Sequence, residues 1–177
     1  MLNLMTTRYN TATWNERQRW FDSDKWTGGS IYCSPIKMKE SIGGDHTMIV
    51  LEMHNDENQI KAIGLVKNRP MSADRLHRIY QDRNYTRYIY KSPYRLVLAD
   101  LQLSPREKKI IGILNHLLFK GARHCKRSHG ITELPAWIRA NTKIDFLGFF
   151  REILVRHYKP PHQAQQPSPP PPPPPPI

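Results

Sequence analysis

The pattern of apolar and polar positions changes once along the chain, near residue 104. Before that point, short apolar runs rich in β-branched and aromatic residues alternate with clusters of Gly, Pro, Asn and Asp, which is typical of strands and turns. After it, apolar residues recur three and four positions apart, which is typical of helices. Strands followed by helices predict an α+β fold: a small mixed β-sheet or half-barrel in the N-terminal part, covered by C-terminal helices.

The strand-rich part covers residues 28–101. A polar turn at residues 54–58 separates two apolar runs, so we predict a hairpin there. The predicted strands are residues 30–34, 46–53, 59–67, 84–90 and 94–101. A short helix is predicted at residues 13–21, and residues 75–80 fit either a short helix or an irregular strand.

The helical part covers residues 104–158. Ser104, Pro105 and Glu107 fit a capping box with proline at the first helical position, and Gly121 provides a natural end. Two further helices are predicted at residues 135–140 and 143–158. We therefore expect a single domain over residues 1–158, followed by a proline-rich tail over residues 159–177.

The tail contains eight consecutive prolines, from Pro169 to Pro176. Such a run favours a polyproline II helix that is disordered with respect to the domain. Polyproline II segments bind the aromatic grooves of SH3, WW, EVH1 or profilin-type proteins, so a partner of this kind is predicted. The alternative is a tract that only spaces or solubilises the domain.

Positive charge is concentrated in the middle of the chain. There are 27 Lys and Arg residues against 15 Asp and Glu, a formal net charge of +12. Residues 67–129 hold 15 of these basic and 4 of these acidic residues, a local excess of +11. This concentration favours a surface that meets phosphate, because neutralising phosphates releases condensed counterions. The alternatives are that the basic surface meets an acidic protein or a membrane surface, or that it is a solvated face without a partner.

The first candidate surface is the Tyr/Arg segment, residues 78–95, in which basic residues alternate with tyrosines. Single-stranded nucleic-acid sites combine a basic groove with rings on which bases stack, at roughly 1–3 kcal/mol per base. The alternative is a sheet surface on which Tyr packs inward and Arg lies over it. The predicted contact residues are Arg78, Arg83, Tyr85, Arg87, Tyr88, Lys91 and Arg95.

The second candidate surface is the basic loop, residues 120–130, which follows a predicted helix. Loops of this kind position a phosphate backbone and carry little sequence information. Alternatively, the cations only complement the negative end of the preceding helix. The predicted contact residues are Lys120, Arg123, His124, Lys126, Arg127 and Ser128.

The order of motifs in residues 30–67 adds a family resemblance. A short strand ending in Ser-Pro, a Gly44-Asp45 turn, an apolar strand, a polar turn and an apolar-Gly-apolar run around Gly64 follow one another. This order resembles the PUA-like group of small β-barrels, which includes the EVE and ASCH domains. The resemblance implies a binding module for RNA or a modified base, usually without catalysis. Because the Tyr/Arg segment and the helical part depart from a compact member, no binding residue is carried over.

Signals for catalysis, metals or cofactors are few. The glycine pairs lack P-loop or dinucleotide spacing, and carboxylates are not clustered as a metal-dependent nuclease requires. Cys125 lies among basic residues, which would lower the pKa of its thiol. Cys125 and the nearby histidines do not have the paired spacing that is typical of a zinc site.

Two cysteines do not make a disulfide framework. No apolar run approaches the ~18–20 residues of a membrane span, and the first ten residues do not resemble a signal peptide. We expect an intracellular protein of the cytoplasm or nucleus. A basic domain with a homopolymeric tail also resembles accessory proteins of large DNA viruses, which adds virion association as an expectation.

These observations predict a non-enzymatic protein that binds RNA or single-stranded DNA through a basic, tyrosine-rich surface, without metal or cofactor. The alternative is a viral structural or scaffold protein that docks an acidic partner, with its tail recruiting a proline-binding domain. A nuclease or other nucleic-acid enzyme is the third interpretation.

Overall fold

A computed structural model of the chain describes residues 2–23, 26, 28–71 and 78–157. The strands are β1 (Leu2–Tyr9), β2 (Ser30–Ser34), β3 (Thr47–His54), β4 (Gln59–Lys67), β5 (Tyr88–Ser92), β6 (Arg95–Val97) and β7 (Thr132–Glu133). The helices are α1 (Thr11–Phe21), α2 (Pro105–Phe119), α3 (Ala136–Arg139) and α4 (Phe146–His157). None of these described helices is long and apolar enough to cross a membrane.

The strands form two sheets. The larger sheet has the order β6-β4-β3-β1-β7, and the smaller one pairs β2 with β5. β1 runs parallel to β3, with Leu2 opposite Thr47 and Tyr9 opposite His54, whereas the other pairs are antiparallel. The predicted α+β class with a mixed sheet is therefore confirmed.

Strand β3 is buried on both faces, which is why it is an almost unbroken apolar run. Its side chains alternate between the faces, as in any strand. Ile49 and Leu51 pack in the same core as α2 and α4. Met48 and Val50 pack in a second core with Tyr32 of the smaller sheet. A third cluster joins the smaller sheet to α1 and contains Tyr9, Trp20, Ile31, Cys33, Ile79, Tyr80 and Ile89.

Several local predictions are confirmed. Residues 30–34 and 59–67 are strands with the predicted bounds, and β3 and β4 form the predicted hairpin. At the start of α2, Ser104 Oγ accepts from Glu107 N at 3.3 Å, while Ser104 N donates to Glu107 Oε2 at 2.7 Å. Arg156 of α4 also donates to Glu107, so the capping box connects two helices.

Other predictions are wrong or incomplete. The predicted strand at 84–90 begins only at Tyr88, because Asp82 caps a 3₁₀ turn over Arg83–Thr86 through the amide of Asn84. The predicted strand at 94–101 is shortened to β6 and a 3₁₀ turn over Leu98–Asp100. β1 was not predicted at all.

Two sequence predictions concern parts of the chain outside the described residues. They are the regular element at residues 75–80, of which residues 75–77 are not described, and the polyproline tail.

Candidate functional site

A cleft of about 300 Å³ lies where β1 ends and α1 begins. The hairpin turn after β3, the end of β2, the Tyr/Arg segment and the basic loop form its other walls. The lining residues are Thr7, Arg8, Tyr9, Asn10, Thr13, Cys33, Pro35, Asn55, Tyr80, Tyr85, Lys126, Arg127, Ser128, His129 and Gly130.

Backbone contacts hold the basic loop against this cleft. The Cys125 amide donates to the carbonyl of Leu118 at 2.7 Å, which folds the chain back over the end of α2. Asn55 Nδ2 donates to the Lys126 carbonyl at 3.0 Å, which attaches the loop to the hairpin turn. Gly130 has φ of +70°, and a Cβ there would overlap Ser34 Oγ. The loop is therefore fixed at both ends of its cleft-lining part.

Arg8 supplies a positive charge that forms no ion pair with any carboxylate of the described residues. Its guanidinium donates to Thr6 Oγ1 and Thr132 Oγ1, both at 2.9 Å, and to the carbonyl of Cys125. Burial lowers the pKa of Arg8 from 12.5 to about 10, so the group stays charged at neutral pH. A guanidinium has five N–H donors, and these three contacts leave others for a ligand.

The cleft as a whole is electropositive. Arg8, Lys126 and Arg127 line it together with His129, and among the described residues that line it there is no Asp or Glu. Within the described part of the chain, none of the three cations forms an ion pair. A partly enclosed site with one sign of charge raises the local concentration of anions.

An aromatic pair also lines the cleft. The rings of Tyr80 and Tyr85 meet edge to face, with centroids 5.9 Å apart. Tyr80 is buried at 4% exposure, whereas Tyr85, on the 3₁₀ turn, is 38% exposed. Tyr85 therefore presents a ring to solvent beside the cations.

The structure thus brings together four of the predicted contact residues, Tyr85 from the Tyr/Arg segment and three from the basic loop. The three are Lys126, Arg127 and Ser128. The two predicted surfaces meet in part, at this cleft.

The remaining predicted residues lie outside the cleft. Arg78 lines a separate hollow beside α1, and Lys91 lines another with Lys67 and Arg69. Tyr88 packs against the second core, and His124 Nδ1 accepts from the Lys126 amide at 3.4 Å. The other predicted residues, Arg83, Arg87, Lys120 and Arg123, are exposed and do not line the cleft.

Arg95 does not occupy the surface position that the prediction gives it. Its guanidinium pairs with a buried carboxylate instead of facing solvent. Its Nε and Nη2 donate to the two oxygens of Glu52 at 2.9 and 2.8 Å. Arg17 Nη2 donates to Glu52 at 2.5 Å, and its Nη1 donates to Tyr9 Oη at 2.7 Å. The hydroxyl of Tyr32 donates to Glu52 at 2.9 Å. One buried carboxylate therefore holds two arginines and joins β3, α1, β6 and the smaller sheet.

The Glu52 carboxylate makes the stability depend on pH. Burial alone would raise the pKa of Glu52, but Arg17 and Arg95 outweigh it and lower the pKa from 4.5 to about 2. Because the unfolded chain then binds the proton more readily, the stabilisation is complete above the unfolded pKa. It is lost as the pH falls from about 4.5 to about 2.

We therefore expect the stability advantage of the unmodified protein over Glu52→Gln to shrink by roughly 3 kcal/mol between about pH 6 and about pH 2. Urea unfolding of both proteins across this range measures the difference in the free energy of unfolding. Comparison with the Gln variant removes the contribution of the other carboxylates. A difference that does not change with pH would contradict the ionised network.

Sequence reasoning missed several cleft residues. Arg8 lies on the strand that was not predicted, and Asn10 and Thr13 form the capping box of α1. Asn55 lies in the hairpin turn, and Tyr80 belongs to the Tyr/Arg segment but is not among its predicted contact residues. A cation at the end of an apolar and threonine-rich run, LNLMTTRY, is the signal that could have singled out Arg8.

The two cysteines are free and buried. Burial raises the pKa of Cys33 to about 12. Burial also raises the pKa of Cys125, and the opposing effect of Arg8 is smaller, so the expected lowering by basic neighbours is wrong. Among the described residues, no group of three or more His, Cys, Asp or Glu is placed to hold a metal ion.

No family model, curated protein or solved structure matches this chain. Its function is therefore inferred from the cleft itself.

Proposed function

We propose that the chain is a non-enzymatic nucleic-acid-binding protein whose cleft binds RNA or single-stranded DNA. The observation that supports this function is a single cleft whose described residues include three cations outside any ion pair and one exposed tyrosine ring, and no Asp or Glu. Membership in the PUA-like group remains a prediction, and binding at the cleft does not depend on it.

Each part of the cleft matches a part of a nucleic-acid strand. Lys126 and Arg127 neutralise phosphates, and Ser128 adds a neutral donor to phosphate oxygens. Tyr85 offers a face on which a base of any identity stacks. The residues of the loop give affinity rather than sequence specificity, because they reach the backbone and not the base edges.

Replacing Lys126 and Arg127 together by Ala is expected to weaken binding and to flatten its dependence on salt. For a single strand, each lost phosphate contact makes the negative slope of log K against log salt shallower by roughly 0.7. Loss of both contacts therefore makes it shallower by about 1.4. Fluorescence anisotropy with a labelled oligonucleotide at several salt concentrations measures the slope.

The matched control is Lys108→Ala with Arg151→Ala. It removes two positive charges as well, from exposed positions on α2 and α4 that do not line the cleft. We expect this variant to retain a slope near that of the unmodified protein. Equal loss in both variants would indicate a general charge effect, and no salt-sensitive binding by the unmodified protein would disprove the function.

A further inference from the structure

Among the described residues that line the cleft, one ring is exposed enough for a base to stack on it. Of its three tyrosines, Tyr9 and Tyr80 are each 4% exposed, and Tyr85 is 38% exposed. Proteins that bind a running strand stack successive bases on several rings. The other tyrosines of the Tyr/Arg segment do not extend the surface, because Tyr90 is buried, Tyr88 packs against the second core, and the half-buried Tyr94 lines other hollows.

The cations are gathered at one place instead of being spread along a path. Arg8 is fixed by Thr6, Thr132 and the Cys125 carbonyl, and that carbonyl directly precedes Lys126 and Arg127. An internal phosphodiester carries one negative charge, whereas a phosphate monoester carries about −1.5 to −2 at neutral pH. A monoester therefore gains more than an internal phosphate from these three cations, which form no ion pair with a described carboxylate, although the exposed Asp56 acts electrostatically on Lys126.

The size of the cleft also suits a single unit. Its volume of about 300 Å³ is at the lower end of the range for small-molecule sites. Single-strand sites that follow the backbone cover about 4–16 nucleotides. A nucleotide-sized hollow with one ring and one cation cluster is suited to one nucleotide.

We propose that the cleft binds the terminal nucleotide of a single strand. The terminal phosphate monoester contacts Arg8, Lys126 and Arg127, and the terminal base stacks on Tyr85. This inference rests on the proposed function and names its ligand more narrowly. A free nucleoside monophosphate presents the same chemistry, so the experiment includes it.

The test compares four forms of one internally labelled strand of about 12 nucleotides. They carry a 5′-phosphate, a 3′-phosphate, hydroxyls at both ends, or no end because the strand is a closed circle. We expect one phosphorylated form to bind about tenfold tighter than the hydroxyl-ended strand or the circle, the usual effect of a hydrogen bond to a charged group. A nucleoside monophosphate should displace the phosphorylated strand from the protein, and the corresponding nucleoside should not.

Two substitutions locate the site. Arg127→Ala and Tyr85→Ala are expected to reduce the preference for the phosphorylated end, whereas the exposed Arg151→Ala is expected to leave it unchanged. Arg127 and Tyr85 are exposed, so thermal unfolding of both variants should stay close to that of the unmodified protein. Arg8→Lys keeps the positive charge but loses the planar fork of N–H donors of the guanidinium. We expect it to reduce the preference for the phosphorylated end as well.

The outcomes separate this inference from the proposed function. If the circle and the hydroxyl-ended strand bind as tightly as the phosphorylated strands, end recognition is wrong and the proposed function stands. If none of the four forms binds, both are wrong. A mononucleotide that binds as tightly as the phosphorylated strand supports the monoester site and identifies a free nucleotide as its source.

Discussion

Replacing Glu52 by Ala is expected to lower the free energy of unfolding by about 3–5 kcal/mol, because it leaves two arginines without their shared carboxylate. Arg17 is only 1% exposed, so solvent contributes little to stabilising its charge. The rings of Tyr9 and Trp14 lie 3.9 and 4.6 Å from its guanidinium carbon, but they do not neutralise its charge. A domain of this size is stable by about 5–15 kcal/mol, so the substitution removes a large part of the total.

Thermal and urea unfolding measure this effect. For about 150 residues, each kcal/mol lowers the Tm by about 2–4 °C, so we expect a fall of about 6–20 °C. Glu40→Ala is the matched control. Glu40 pairs with Lys37 on the surface with its side chain 84% exposed, and its loss should change stability by less than about 0.5 kcal/mol. Similar losses in the two variants would contradict a structural role of the buried network.

The parts of the fold that were predictable depend on neighbours in sequence. The β3-β4 hairpin follows from two apolar runs around a polar turn, and the start of α2 follows from Ser104 and Glu107. β1 differs because its stability comes from pairing with β3, about 45 positions away, which leaves no local turn signal. The run at 84–90 has strand propensity throughout, but Asp82 captures the Asn84 amide and bends the chain first.

The same distinction applies to the site. The basic loop was predictable because its cations lie close together in the sequence and follow a helix end. Arg8 was not, because its role depends on residues more than 100 positions away, Cys125 and Thr132. Arg95 was assigned to the surface because nothing in its neighbourhood shows that Glu52, on another strand, binds it. Composition can locate a charged segment, but only tertiary contacts show which of its charges are already neutralised.

Replacing Gly64 by Ala is expected to lower the free energy of unfolding by about 3–5 kcal/mol. A Cβ at this position of β4 would overlap the hydroxyl of Tyr32 and lie 2.9 Å from both Tyr32 Cζ and Ser30 Cβ. Tyr32 is fully buried, so it moves only at the expense of its 2.9 Å hydrogen bond to Glu52. Overpacking costs about 1–3 kcal/mol, and loss of a hydrogen bond to a charged group adds about 1.5–3 kcal/mol.

A double-mutant cycle with Tyr32→Phe tests the cause. Because the hydroxyl makes the closest contact, Gly64→Ala should cost at least about 1 kcal/mol less in the Phe background. Gly112→Ala is the matched control. Gly112 is exposed within α2 and has no atom near its added Cβ, so that variant should gain about 0.5–1 kcal/mol. Equal costs of Gly64→Ala in both backgrounds would show that the Tyr32 hydroxyl is not what requires glycine at this position.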